Sequence, residues 1–148
     1  MTEARQFKFR SSLARKLQVS GGKTVGEADR LACEGLERHR EAVMQTIDAT
    51  LGELQGLCAG MPADGGATVY SLASSVIDLV AYFDTGPLHE AAYSLCELSD
   101  RMLAAGDWQW PPVLVHVQAM RLILTDDCRR GQASDMLLAG LRALSGKR

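Results

Sequence analysis

Apolar residues recur at helical spacing along nearly the whole chain, and turn-forming residues cut the pattern into segments. Between 8 and 18, Phe9, Leu13 and Leu17 stand at i, i+4 and i+8, which predicts a short amphipathic helix ended by Ser20-Gly21-Gly22. Thr24-Val25-Gly26-Glu27 reads as a capping box, with Thr24 the N-cap and Glu27 reaching back. From there Ala28, Leu31, Ala32, Met44, Ile47, Leu51 and Leu54 share one stripe of a long helix; Gly35 weakens its middle, and Gly56 and Gly60 suit its end. Residues 62–66 are a loop by composition. A helix over about 67–83 follows, with Val69, Leu72, Ala73, Val76, Val80 and Phe83 inward.

Asp84-Thr85-Gly86-Pro87 breaks the pattern. Thr85 or Gly86 can cap the next helix, and Pro87 suits its first turn, where no N–H is needed. That helix turns Leu88, Ala91, Ala92, Leu95, Leu98 and Met102 to one side and stops at Ala105-Gly106-Asp107. Trp110-Pro111-Pro112 opens another, with Val113, Val117, Met120 and Ile123 or Leu124 inward, ended by Asp126-Asp127. A last helix over about 130–145 places Ala133, Met136, Leu137, Gly140, Leu141 and Leu144 on one stripe. No strand-like alternation or internal repeat occurs, and the connections are short. The pattern predicts an all-α protein: an up-down antiparallel four-helix bundle with an extra short N-terminal helix and a C-terminal helix.

Composition narrows the class. A chain of 148 residues, 47% hydrophobic and 23% charged, is expected to fold as a single helical-bundle domain over 1–148, neither disordered nor fibrous. No apolar run is long enough for a membrane span, and MTEARQFKFRSS contains no apolar signal core, so a cytoplasmic location is expected. The net charge of -2 argues against nucleic-acid binding. Segment 1–23 is different: Arg5, Lys8, Arg10, Arg15, Lys16 and Lys23 stand against Glu3 alone, so it is expected to pack on the acidic remainder or dock beside it.

The search for chemistry mostly comes back empty. Cys33, Cys58, Cys96 and Cys128 form no Cys-x-x-Cys pair and have no histidine at ligand spacing, so reduced thiols and no metal are expected. No phosphate loop is present, since Gly21-Gly22-Lys23-Thr24 lacks the first glycine and the preceding strand. No cofactor is implied. His39, His89 and His116 lie on three different predicted helices, each expected at the surface or its boundary. Ser74-Ser75 has no activating histidine or lysine nearby in sequence. An enzyme with a site in the bundle core is disfavoured, because the predicted core holds no paired carboxylates or imidazoles.

Residues 72–98, LASSVIDLVAYFDTGPLHEAAYSLCEL, say more. They resemble the phosphoacceptor hairpin of histidine phosphotransfer (HPt) domains, in which a helix carries His-x-Leu-Lys-Gly, then small residues, then Phe-Gly at the turn. With Phe83 on the turn Phe, Ser74 takes the place of the phosphoacceptor His, and Val76 that of the Leu. Ile77 replaces the Lys and Asp78 the Gly; Ala81 matches a small position and Leu88 the first apolar residue of the next helix.

The resemblance implies an HPt-like bundle of bacterial two-component signalling that has lost the chemistry of transfer. Serine without a base is a poor nucleophile, and Ile77 brings no charge for a phosphoryl group. Asp78 adds negative charge opposite an acidic receiver pocket. The expected function is non-catalytic. The chain would bind the receiver domain of a response regulator, or a histidine kinase, as scaffold, decoy or modulator, through Ser74, Ile77, Asp78 and Ala81, with Ile77 exposed. One alternative is an active phosphotransfer protein with His89 as a displaced phosphoacceptor. Another is a helical adaptor unrelated to phosphorelay, anchored by Phe7, Phe9, Trp108 and Trp110.

Overall fold

The computed structural model describes residues 24–81, 83 and 85–146. The predicted helix over 8–18, the basic segment and the aromatics Phe7 and Phe9 lie outside the described residues. Every regular element among the described residues is helical: α1 (Val25–Gly60), α2 (Gly66–Val80), α3 (Gly86–Ala105), α4 (Trp110–Thr125) and α5 (Gln132–Gly146). None is long and apolar enough to cross a membrane. The chain divides into two compact units, residues 1–38 and 39–148.

In the first unit the capping box forms as its sequence predicts. The Thr24 N–H donates to Glu27 Oε2 at 3.0 Å, and the Glu27 N–H donates to Thr24 Oγ1 at 3.2 Å. Arg30 and Glu34, one turn apart, pair at 2.8 Å. The expected apolar stripe is not buried here: Ala28, Leu31 and Ala32 are exposed, as are Val25 and Leu36.

The second unit holds the core. On α1 burial begins with Ile47 and continues through Leu51, Leu54 and Cys58. Arg121 of α4 ties this stretch down, donating to Asp48 and, through Nη2 at 2.8 Å, to Gln55 Oε1. α3 is the central element, packing against α2, α4 and α5. Short connections join α2 to α3 and α3 to α4, so each pair is antiparallel. The predicted stripes of α2, α3 and α4 are buried at Val69, Ala73, Val76 and Val80; at Leu88, Ala91, Ala92, Leu95 and Leu98; and at Val113, Val117, Met120 and Ile123, whereas Leu72, Phe83, Met102 and Leu124 are only half-buried. Each of the valine, leucine, isoleucine and methionine side chains contributes roughly 1.5–3 kcal/mol by leaving water.

Turn chemistry fixes the junctions. Thr85 takes the N-cap position of α3, yet its buried hydroxyl donates to the Val80 carbonyl at 3.3 Å, closing the end of α2. Gly106 ends α3 with φ of 66°. Trp108 and Trp110 meet edge to face, with centroids 5.5 Å apart, over Gly65 and Gly66. A Cβ on Gly65 would lie 2.8 Å from the Trp110 ring, and one on Gly66 2.8 Å from the Trp108 ring. The two indoles thus seal one end of the core and are only half-exposed.

α5 departs from its predicted register. Leu141 is buried as predicted and Leu137 is half-buried against the core, but Ser134, Leu138 and Ser145 are buried as well, whereas Ala133, Met136, Gly140 and Leu144 face solvent. Two serines on the buried face satisfy polar needs there. Ser134 Oγ accepts from the Gly131 N–H at 2.9 Å, and Ser145 serves α3 and α4 as described below.

Candidate functional site

The outward strip of α2 carries the residues singled out by the resemblance. Asp78 and Ala81 are exposed; Ser74 is half-buried. Ile77, expected to be exposed, is half-buried and packs against the core. The reason is its position at the edge of the stripe, one residue after Val76 and three before Val80. Asp78 lies near Cys96 of α3: burial first, and then this carboxylate, push the Cys96 thiol up to about 11. The α2 strip therefore runs beside the face of α3 that carries exposed Tyr93. No imidazole among the described residues hydrogen-bonds Ser74 or Ser75; Ser75 donates back to the Ser71 carbonyl at 3.0 Å. His89 stands in the first turn of α3. It shares a shallow hollow of about 420 Å³ with Ala81, Phe83 and Glu90, so Ala81 and His89 come together at the hairpin end. Ser74 lies about 10 Å away along the helix axis.

A larger cleft, of about 790 Å³, opens between α3 and α5, and Tyr93, Ser94, Arg101, Arg142 and Ser145 are on its walls. Glu90 closes one end by bridging Arg130 and Arg142, the latter at 2.6 Å. The Arg130 hydrogen bond is the main cause that holds the Glu90 carboxyl below the usual carboxylate range.

Behind the Ser94 and Ser145 wall of this cleft lies what the sequence did not reveal. His116, expected at the surface or its boundary, is fully buried. Its Nδ1 is 2.8 Å from the Pro112 carbonyl oxygen, which can only accept, so Nδ1 carries the proton and donates. Nε2 is then the acceptor, with Ser94 Oγ at 3.0 Å and Ser145 Oγ at 3.4 Å; the two hydroxyls are 2.8 Å apart. Burial pushes the His116 imidazole below its ordinary pKa, against the Pro112 hydrogen bond, and nearby Arg101 adds to the lowering. The core therefore does contain an imidazole, with hydroxyls from α3 and α5 on its basic nitrogen. A sequence signal existed: Ser94 falls within the otherwise apolar stripe of Ala91, Leu95 and Leu98, where a hydroxyl needs a partner.

The four cysteines are free thiols. Among the described residues no group of three or more His, Cys, Asp or Glu is arranged to hold a metal ion. Comparison with known protein families, with characterised proteins and with solved structures finds no match to this chain.

Proposed function

We propose that the chain is a non-catalytic, HPt-like signalling protein of bacterial two-component type. Its helices form an up-down antiparallel four-helix bundle with a further C-terminal helix. It works in the cytoplasm, binding a receiver domain or a histidine kinase as scaffold, decoy or modulator. The observation that carries this reading is the α2 strip: exposed Tyr70, Asp78 and Ala81 with half-buried Ser74 and Ile77, beside α3. A tyrosine, an aliphatic edge and small residues make a contact face rather than a fully solvated one. Transfer is opposed by the same residues, because Ser74 lacks a base and Asp78 repels a phosphorylated, acidic receiver pocket.

The test is a panel of receiver domains and histidine kinases, assayed for capture by the chain and for phosphate transfer to it. Binding without transfer, weakened by Ile77→Lys and by Tyr70→Ala, is the expected result. Phosphate arriving on the chain overturns it, and an acid-labile, base-stable phosphate on His89 establishes the displaced-acceptor alternative. For the adaptor reading, both indoles pack over Gly65 and Gly66 and are half-exposed, and loss of capture on Trp108→Ala or Trp110→Ala but not on Ile77→Lys would favour it.

A further inference from the structure

The Ser94–His116–Ser145 cluster has a directionality that simple core satisfaction does not require. We infer that Ser94 is a nucleophilic, acyl-accepting hydroxyl, and that its substrate is a small activated carboxylic ester entering the cleft between α3 and α5. The inference rests on other residues than the partner-binding face and leaves that binding untouched, but it replaces the non-catalytic character of that reading with an acyl-transfer activity.

Three observations carry it. First, the Pro112 carbonyl, 2.8 Å from Nδ1, fixes the tautomer that leaves Nε2 basic and directed at Ser94 Oγ, 3.0 Å away. This is the nucleophile–base–orienter order of a hydrolytic serine, with a backbone carbonyl in the orienting place. Ser145, 2.8 Å from Ser94 Oγ, is placed to donate to it while the Ser94 hydroxyl points at the imidazole. Second, Ser94 and Ser145 line the cleft and His116 does not, so the hydroxyl stands in front with its base behind it. Third, Arg101 lines the same cleft and lies near enough to His116 to oppose its protonation. That positive charge favours a neutral base, although Glu90, Glu97 and Asp100 line the same cleft.

The step balances without a further reagent. Ser94 Oγ attacks the ester carbonyl and its proton passes to Nε2. The tetrahedral oxyanion collapses, the bond to the leaving oxygen breaks, and that oxygen takes the proton from Nε2. The product is an acyl-serine and a free alcohol. Water repeats the sequence through the same nitrogen, releasing a carboxylic acid and restoring Ser94.

The test uses the full chain and p-nitrophenyl acetate, following nitrophenolate release and mapping the acetyl group by peptide mass spectrometry. The expected result is acetyl on Ser94, at no more than one per chain, in samples quenched with acid during the reaction. The rate should already be on its plateau at neutral pH and fall only in acid. Ser94→Ala and His116→Asn should each lower the rate about a hundredfold or more. Helicity by circular dichroism accompanies each variant. If His116→Asn does not fold, Ser94→Ala and the pH profile of the unmodified chain decide. Acetyl found only on amines, on His89 or on exposed Cys33 overturns the inference. So does a rate that keeps climbing with pH through the thiol and amine range.

Discussion

Two serines and one histidine show how much of the core's energetics sits in single polar groups. His116 is satisfied from three helices, so replacing it with alanine removes a packed ring and leaves the Ser94 and Ser145 hydroxyls buried. We expect Ser94→Ala to cost about 1–2 kcal/mol and His116→Ala about 2–4 kcal/mol in urea unfolding. Ser99 on the same helix is the contrast. Its hydroxyl is fully buried with no hydrogen-bond partner among the described residues. Ser99→Ala should therefore stabilise the protein, by about 1 kcal/mol, in the same experiment. None of this could be read from position 116 alone. His116 sits among Val113, Val115 and Val117, so its helix is apolar on most sides, and the partners that bring it inside are 22 and 29 residues away. The Thr24 capping box, whose partners lie three residues apart, was legible for the opposite reason.

At the scale of elements, the sequence locates the helices from α2 to α5 to within a few residues, because Gly, Pro and Asp punctuate them. The register of α5 was the failure. Apolar residues occur on both of its faces, and periodicity chose the face with Met136 and Leu144 over the face with Ser134 and Ser145. Leu138→Ala should cost roughly 2–4 kcal/mol while Met136→Ala stays within about 0.5 kcal/mol, measured by thermal or urea unfolding. Similar costs for both would put the register in error. On α1 the stripe was legible but the extent of its burial was not, since burial depends on what lies against the helix. The α2–α4 end seal makes a further test: Gly65→Ala and Gly66→Ala drive a methyl into the indoles and should each cost roughly 1–3 kcal/mol.

For the whole molecule, acid is the informative perturbation. His116 and Glu90 both have folded-state pKa values below their ordinary ones. The unfolded chain therefore binds more protons than the folded chain, and stability falls as pH falls. The His116 contribution is complete above the ordinary imidazole value of about 6.5 and is lost as pH drops below it. That of Glu90 is complete above about 4.3 and is lost below it. Urea midpoints taken from pH 7.5 downward should show both losses, and Glu90→Gln should remove the second. The α2 strip is singled out by a resemblance to a phosphoacceptor hairpin that expects Ile77 outside the core; Ile77 lies at the core edge instead, which weakens that register. The most direct test of the proposed function is an isotope-labelled titration of this chain with a receiver domain captured from the panel, read residue by residue by NMR. The account predicts perturbations along Tyr70, Ser74, Ile77, Asp78 and Ala81 and the adjoining face of α3, with no phosphate transferred. Perturbations confined to other helices, or phosphate on the chain, would contradict it.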